Sequence, residues 1–193
     1  MITAYFMGRA ARRDLERGIP MDLKKKLRHV MDFPKEGIDY IDVTTLLADG
    51  EAYGHAIDLL AEASSGFGGF DVVVAPESRG FIFGAPLAAA LRKPFVPARK
   101  PGKLPWRRVS AEYGLEYGTD AVEMHADALK AGQRAVIVDD LLATGGTVGA
   151  VAELVEGLGG LVAGMLFLIE LTYLDGRAKL RGRRVESIIR MDG

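Results

Sequence analysis

Ala135-Val-Ile-Val-Asp-Asp-Leu-Leu-Ala-Thr-Gly-Gly-Thr147 is the stretch that decides the fold of this chain. Its apolar run contains three consecutive β-branched residues, Val136, Ile137 and Val138, which is typical of a strand buried on both faces of a parallel sheet. Beyond Thr147, apolar residues recur at helical spacing, namely Val148, Val151, Leu154, Val155 and Leu158. The stretch therefore predicts a buried strand, a tight turn and a helix that begins at the turn.

The predicted turn has the residue types that bind a phosphate group. Gly145 and Gly146 carry no Cβ, so their backbone N–H groups can come close to an anion. Thr144 and Thr147 add hydroxyl donors, and the N-terminus of the following helix favours negative charge. We therefore interpret the turn as a monophosphate site.

The two carboxylates at the end of the strand, Asp139 and Asp140, have a different function from the turn. They would repel a phosphate, but they can accept hydrogen bonds from neighbouring sugar hydroxyls or hold a hydrated Mg²⁺ ion. A phosphorylated ribose needs both kinds of group within a few ångströms. The alternative is an ordinary strand with a surface Asp pair and a flexible glycine turn.

The order of strand, Asp139-Asp140, spacer and Thr144-Gly-Gly-Thr147 resembles the phosphoribosyl pyrophosphate (PRPP) signature of type I phosphoribosyltransferases, in particular the members that act on adenine. The resemblance implies that the two aspartates orient the ribose. It also implies that the 5′-phosphate is bound by Ala143, Thr144, Gly145, Gly146 and Thr147.

Several segments outside this stretch predict the rest of an α/β fold. Strands are expected over residues 71–75, 94–98, 161–171 and 185–190, and helices over residues 51–63 and 84–91. A helix is also expected over residues 23–31, because Leu23, Leu27, Val30 and Met31 follow helical spacing. Alternating strands and helices favour a central, mostly parallel sheet flanked by helices, with ligands at the carboxyl ends of the strands.

A second loop at a strand end carries a candidate arginine. The strand over residues 71–75 runs into Pro76-Glu-Ser-Arg-Gly-Phe81, where Arg79 can make forked contacts to pyrophosphate oxygens. This segment is similar to a family loop that often contains a non-proline cis peptide. A structural ion pair is the alternative role for Arg79.

Residues 99–118 are rich in cations, prolines and glycines, which favours a long basic loop. The segment resembles the family's flexible catalytic loop, a lid that excludes water from an oxocarbenium-like transition state. The resemblance implies that Arg99 and Lys103 bind pyrophosphate, with Lys103 and Arg79 also catalytic. The resemblance also implies that Glu116 is the catalytic carboxylate, an acid–base group for a purine ring proton. A solvated charge run with a surface glutamate is the alternative.

The segment 32–40 resembles the family loop that forms an N-terminal hood over the purine. Tyr40 is expected to stack on the base, and the backbone at Ile41 to contact it; the family commonly has an arginine where this chain has Ile41. Phe33 and Tyr40 are otherwise plain core aromatics. Residues 1–20 are expected to form an N-terminal arm, and residues 21–193 a single phosphoribosyltransferase domain.

Composition limits the other classes of function. With 25 basic and 26 acidic residues, the nearly balanced charge does not favour a nucleic-acid partner. The chain has no cysteine, which agrees with a cytoplasmic location, and no apolar stretch reaches the length of a membrane span. Its three histidines are scattered, so no histidine-based metal cluster is expected.

The resemblance implies purine salvage, in which adenine and PRPP give AMP and pyrophosphate. Mg²⁺ would be bound mainly through PRPP or pyrophosphate, and the enzyme would be a homodimer. Two alternatives stay open: the same reaction with a 6-oxopurine, or a regulator that senses PRPP or purines without turnover. Such regulators need an appended DNA-binding module, for which residues 1–20 are too short.

Overall fold

The computed structural model describes residues 21–114 and 119–192. The chain divides into two compact units, residues 1–59 and residues 60–193. The arm expected over residues 1–20, and Glu116 of the expected catalytic loop, lie outside the described residues. The expectation of one domain over residues 21–193 stays a prediction.

The first unit contains a two-stranded antiparallel sheet, in which strand β1 pairs with strand β2. The elements are a 3₁₀ helix Leu23–Lys26, β1 Arg28–Met31, β2 Asp39–Asp42, helix α1 Thr44–Leu47 and the beginning of helix α2 Gly50–Ser65. The predicted helix over residues 23–31 is wrong, because only its first part is helical. Arg28 faces Asp42 and Met31 faces Asp39 across the sheet, so a partner about ten residues away overrides the local helical spacing.

The second unit is built on a five-stranded sheet in which every pair of neighbouring strands is parallel. Its strands, in the order of the sheet, are β4 Phe95–Ala98, β3 Val72–Pro76, β7 Arg134–Leu142, β8 Leu161–Leu171 and β9 Val185–Met191. The predicted parallel sheet and its last, edge strand are therefore confirmed.

Helices pack on both faces of this sheet, as its continuous apolar strands require. Helix α3 Arg79–Ala90 lies so close to one face that a Cβ on Gly84 would be 2.7 Å from the Cβ of Ala75. Helix α4 Gly146–Gly157 packs on the other face, where Val151 and Val155 join the core with Ile137. The central strand β7 is thus fixed from both sides, and its carboxyl end carries the two candidate aspartates.

The predicted long loop over residues 99–118 is partly wrong, because strand β5 Arg108–Gly114 occupies its second half. It forms an antiparallel hairpin with β6 Thr119–His125. Exposure alternates along β5, and Val109, Ala111 and Tyr113 pack against the core that includes α4. Pro101, Gly102 and Pro105, which predicted irregular backbone, precede the strand, so they do not oppose it.

Candidate active site

A cavity of about 360 Å³ opens where β3 and β7 end, the position at which open α/β sheets bind ligands. Its walls come from the end of β3, the start of α3, the end of β7 and the turn into α4. The lining residues are Glu77, Ser78, Arg79, Lys100, Tyr113, Asp139, Asp140, Leu141, Leu142, Ala143, Thr144, Gly145, Gly146, Thr147 and Val148. The cavity therefore gathers Arg79 and all seven residues predicted to bind the ribose and 5′-phosphate.

The two aspartates lie at the end of β7 in different surroundings. Asp140 is only 2% exposed, and its Oδ2 lies 3.0 Å from Nε of Arg79. Asp139 is half-buried, and its Oδ1 accepts a hydrogen bond of 2.9 Å from the backbone N–H of Asp140. Arg79 keeps 41% of its side chain exposed, so it reaches both the buried carboxylate and the cavity.

The surroundings of the pair oppose two negative charges. Burial raises the pKa of Asp139 well above its ordinary value, and the neighbouring charge of Asp140 raises it further. Burial also raises the pKa of Asp140, although the guanidinium of Arg79 opposes that shift. A ligand that offers hydrogen-bond donors or a cation to these carboxylates would therefore relieve an unfavourable charge.

The turn between β7 and α4 has the geometry of an anion site. Gly145 has φ +77°, a conformation that favours glycine, and the 12-residue helix α4 begins at the next residue. Its N-terminal N–H groups have no intrahelical partner, so they can donate to a phosphate. The hydroxyl residues Thr144 and Thr147 line the cavity beside them.

The arginine loop is held against β7 by another glycine. A Cβ on Gly80 would lie 2.9 Å from Oδ1 of Asp139 and 3.1 Å from the backbone oxygen of Val138. The absence of a side chain at this position brings the start of α3 directly onto the strand that carries the aspartates. The Glu77–Ser78 peptide in this loop is cis, in agreement with the family resemblance.

The cations of the basic segment are distributed unequally around the cavity. Nε of Arg99 donates a 2.7 Å hydrogen bond to Oε2 of Glu77, so Arg99 reaches a residue of the wall without lining the cavity itself. Lys103 is exposed and also lies outside the lining, whereas Lys100, which the sequence reasoning did not select, is part of it. The pyrophosphate roles of Arg99 and Lys103 stay predictions.

Lys100 belongs to a polar cluster at the end of the β5–β6 hairpin where the strand pairs Tyr113–Asp120 and Gly114–Thr119 lie. Its Nζ donates to Oδ2 of Asp120 and, over 2.8 Å, to the hydroxyl oxygen of Tyr113. The Tyr113 hydroxyl donates to the same Asp120 oxygen over 3.0 Å. Burial disfavours the ammonium charge, but these bonds outweigh it and raise the pKa of Lys100. The residue types of this cluster gave no local signal, because three separate segments contribute Lys100, Tyr113 and Asp120.

The predicted base-binding residues lie in the first unit and are described there alone. The rings of Tyr40 and Phe33 meet edge to face with their centroids 5.1 Å apart. Ile41 is buried in β2 with 6% of its surface exposed. Their contacts with a purine stay predictions.

Two structural absences hold for residues 21–114 and 119–192. Over these ranges, no group of three or more His, Asp or Glu side chains could hold a metal ion. In the same part of the chain, none of the helices has the length and apolarity to cross a membrane.

Comparison with known proteins decides the family. The sequence model of the family described as "Phosphoribosyl transferase domain" matches residues 42–186. The chain is 62% identical over 169 residues to the adenine phosphoribosyltransferase of Acetivibrio thermocellus, which covers 88% of this chain and 99% of the relative. This chain belongs to the phosphoribosyltransferase family.

Solved structures of phosphoribosyltransferases have the same fold. The adenine phosphoribosyltransferase of Thermoanaerobacter pseudethanolicus superimposes with a TM-score of 0.85 at 56% identity, covering 88% of this chain and 98% of the other. The Saccharomyces cerevisiae enzyme, crystallised with an imino-altritol bisphosphate and adenine, gives a TM-score of 0.82 at 40% identity, covering 86% and 96%. The family and the fold predicted from the motifs are both confirmed.

Proposed function

We propose that this chain transfers the 5-phosphoribosyl group of PRPP to adenine, giving AMP and pyrophosphate in purine salvage. One observation carries the proposal: a single cavity joins the Asp139–Asp140 pair to the glycine turn and to Arg79. This arrangement offers acceptors for ribose hydroxyls, donors for a phosphate and a cation for a leaving group. Relatives at 56% to 62% identity carry the name adenine phosphoribosyltransferase, which supports adenine as the base.

The ribose 5-phosphate half of PRPP would occupy the end of β7 and the following turn. Asp139 and Asp140 would accept hydrogen bonds from the two ribose hydroxyls, and this would compensate the charge that burial makes unfavourable. Ala143 to Thr147 would hold the 5′-phosphate through backbone N–H and hydroxyl groups at the start of α4. Fixing both ends of the sugar leaves C1 as the free reacting atom.

At C1, the bond to the pyrophosphate oxygen breaks, and a bond to N9 of adenine forms. Arg79 would neutralise negative charge on the departing pyrophosphate, with Arg99 and Lys103 joining it from the basic segment. Glu116 would act as the acid–base group that handles proton transfer at the adenine ring while N9 attacks C1. The catalytic loop that contains Glu116 would exclude water, which otherwise competes with adenine for C1.

Mg²⁺ fits this donor set only as an ion that arrives with its substrate. The described wall offers few carboxylates, and Arg79 already contacts Asp140. Mg²⁺ keeps several waters and is often bound through substrate phosphates, so PRPP oxygens can supply its remaining ligands. When bound, it would neutralise charge on pyrophosphate, and Asp139 and Asp140 would contact it through water or ribose oxygens.

Adenine recognition would come from the first unit. An aromatic ring at Tyr40 can stack on the purine, and the backbone at Ile41 can distinguish the N6 donor and N1 acceptor of adenine from a 6-oxopurine. The yeast relative with adenine in its crystal supports a base site in this fold. If the contact is made by the backbone, an isoleucine at position 41 is compatible with it.

Three further properties belong to the same proposal. The enzyme would be a homodimer in the cytoplasm, and residues 21–193 would act as one phosphoribosyltransferase domain. Family resemblance supports the dimer, and the absence of cysteine agrees with the location. Sedimentation equilibrium of the purified chain would test the dimer directly.

The decisive experiment measures pyrophosphate release from PRPP and Mg²⁺ with adenine, hypoxanthine, guanine or xanthine. We expect turnover with adenine and at least tenfold lower kcat/KM with the other bases, because a site built to hydrogen-bond one base edge rejects the wrong pattern. Preference for a 6-oxopurine would keep the chemistry and overturn the base assignment. Binding of PRPP without turnover for any base would favour the regulator.

A further inference from the structure

The segment of residues 170–180, which spans the end of β8 and the residues after it, is not used in the proposed chemistry. It lies directly behind residues 143–147, the phosphate turn. Its sequence is Glu170-Leu-Thr-Tyr-Leu-Asp-Gly-Arg-Ala-Lys-Leu180. It forms a 3₁₀ helix Thr172–Leu174 and helix α5 Gly176–Lys179. Gly176 is buried, and Leu180 is only 1% exposed. The segment is therefore anchored in the protein at Gly176 and Leu180, while residues 173–175 are exposed.

Two glycines bring the segment into backbone contact with the phosphate turn. A Cβ on Gly176 would lie 2.1 Å from the backbone oxygen of Ala143 and 3.0 Å from Cδ1 of Leu142. A Cβ on Gly145 would in turn lie 2.6 Å from the backbone oxygen of Gly176. Neither position has room for a side chain, and at each the nearest opposing atom is a backbone oxygen that cannot rotate away. The turn from residue 143 to residue 145 thus rests on the backbone of Gly176.

An arginine fork fixes Gly176 in place. The next residue, Arg177, donates from Nε to Oε1 of Glu170 over 2.6 Å and from Nη2 to Oε2 over 2.8 Å. Its Nη1 donates over 2.8 Å to the backbone oxygen of Val185, the first residue of β9. A bidentate arginine–carboxylate pair fixes orientation as well as distance. Arg177 therefore ties the segment to two strands of the sheet.

The fork is anchored beside the strand that carries the candidate aspartates. Glu170 is 3% exposed, and in the sheet register it faces Leu142, the residue immediately before the phosphate turn. The hydrogen bonds from Arg177 hold the pKa of Glu170 below its ordinary value, so the carboxylate stays charged at neutral pH. The ion pair between Arg177 and Glu170 is therefore present at neutral pH.

We propose that Gly176 and Arg177 are positioning residues for the 5′-phosphate site: Gly176 supports the turn, and Arg177 holds Gly176 against it. This inference rests on the proposed function. Neither residue lines the cavity, so each acts through Ala143 and Gly145. Their effect should fall on ligands that carry a 5′-phosphate and should spare the affinity for the base.

The test uses Gly176→Ala and Arg177→Gln in the full chain, with Gly157→Ala as the matched control. The contact at Gly176 must open from 2.1 Å to at least 3.0 Å, a shift of about 0.9 Å, whereas a Cβ on Gly157 meets nothing within 4 Å. We expect KM for PRPP to rise on the order of 10-fold to 100-fold in Gly176→Ala, because a shift of this size misplaces a bound group. KM for PRPP should also rise in Arg177→Gln, because the hydrogen bonds that hold Gly176 in place are lost. KM for adenine should stay within about twofold in all three, since the base does not contact this turn.

Titration of ribose 5-phosphate separates the inference from the proposed function, because it needs neither base nor turnover. If the wild-type chain binds ribose 5-phosphate and both variants bind it equally well, the positioning role is overturned. Equal loss of PRPP and adenine affinity would also overturn it, since that pattern indicates general damage. If the wild-type chain binds PRPP but not ribose 5-phosphate, the same comparison is made with PRPP, and failure of the wild-type chain to bind either ligand would overturn the proposed function itself.

A milder variant keeps the test valid if Gly176→Ala does not fold. Arg177→Lys retains the positive charge beside Glu170 but cannot donate to Glu170 and Val185 with the same fork. We expect it to raise KM for PRPP less than Arg177→Gln does. Arg183→Gln removes the ion pair with Glu156, away from the turn, and should leave KM unchanged. An equal effect at Arg183 would contradict a role specific to Arg177.

Discussion

The phosphate turn can be tested by adding one methyl group at Gly145 and the same group at Gly132. Both glycines have positive φ, +77° and +81°. A Cβ on Gly145 would lie 2.6 Å from the backbone oxygen of Gly176, whereas a Cβ on Gly132 meets nothing within 4 Å. The two substitutions thus share backbone strain, and only Gly145→Ala adds a collision at the cavity.

The strain sets the expected loss of stability. An alanine in the left-handed region costs roughly 1 to 2 kcal/mol, so both variants should unfold at lower temperature. For a chain of 193 residues, each kcal/mol lowers Tm by about 2 to 4 °C. Gly145→Ala should lose somewhat more, because the contact with Gly176 must open from 2.6 Å to at least 3.0 Å.

The collision sets the expected loss of function. Moving the turn by about 0.4 Å away from Gly176 should raise KM for PRPP roughly 10-fold, about 1.4 kcal/mol of binding, while Gly132→Ala keeps the wild-type value. The assay is pyrophosphate release at varied PRPP, with thermal unfolding of each variant followed by circular dichroism. If Gly145→Ala retains the wild-type KM, or Gly132→Ala raises it equally, the turn does not bind the phosphate as proposed.

Three further predictions concern other parts of the site. Because burial and the neighbouring charge of Asp140 raise the pKa of Asp139, the fold favours the neutral form of this carboxyl; Asp139→Asn should therefore raise Tm at pH 7. The gain in Tm should shrink as the pH falls through the raised pKa of Asp139 and vanish below the pKa of the unfolded chain. The same variant should lose affinity for PRPP. A Tm below the wild-type value at pH 7 would contradict the burial argument. Glu116→Ala should lower kcat far more than PRPP affinity, and near wild-type kcat in single-turnover kinetics would remove its catalytic role. Trp106 is 62% exposed, so closure of the loop over PRPP and Mg²⁺ should change its fluorescence; no change despite binding seen by calorimetry would exclude closure over this residue.

The central part of the fold could be predicted because its signals are local. Val136, Ile137 and Val138 stand together in a run that is buried completely, as an interior parallel strand requires. The glycine turn also follows the strand directly in the sequence, so its chemistry and its place at a helix N-terminus could be inferred together. Eight predicted site residues consequently line the same cavity.

The errors arise where distant partners decide the structure. Local spacing predicted a helix through Met31, but pairing with β2 makes residues 28–31 a strand. The basic segment seemed irregular because its prolines and cations obscured the alternation of Val109, Ala111 and Tyr113, which pack against the core. Lys100 could not be selected from local sequence, because its partners Tyr113 and Asp120 come from β5 and β6.

Charge pairing around the cavity couples the ribose-binding and the pyrophosphate-binding parts of the proposed site. Arg79 lies on Asp140 and Arg99 lies on Glu77, so cations that would repel each other in a small space are each compensated by a carboxylate. Pyrophosphate would have to replace Asp140 as the partner of Arg79, and this exchange would release Asp140 to accept ribose hydroxyls. Asp140 is 2% exposed, so its negative charge is costly unless Arg79 or ribose hydroxyls compensate it. The exchange therefore favours ligands that present pyrophosphate and ribose hydroxyls together. PRPP does so, whereas pyrophosphate alone would leave Asp140 buried without compensation, and this difference would favour the complete substrate over its leaving group.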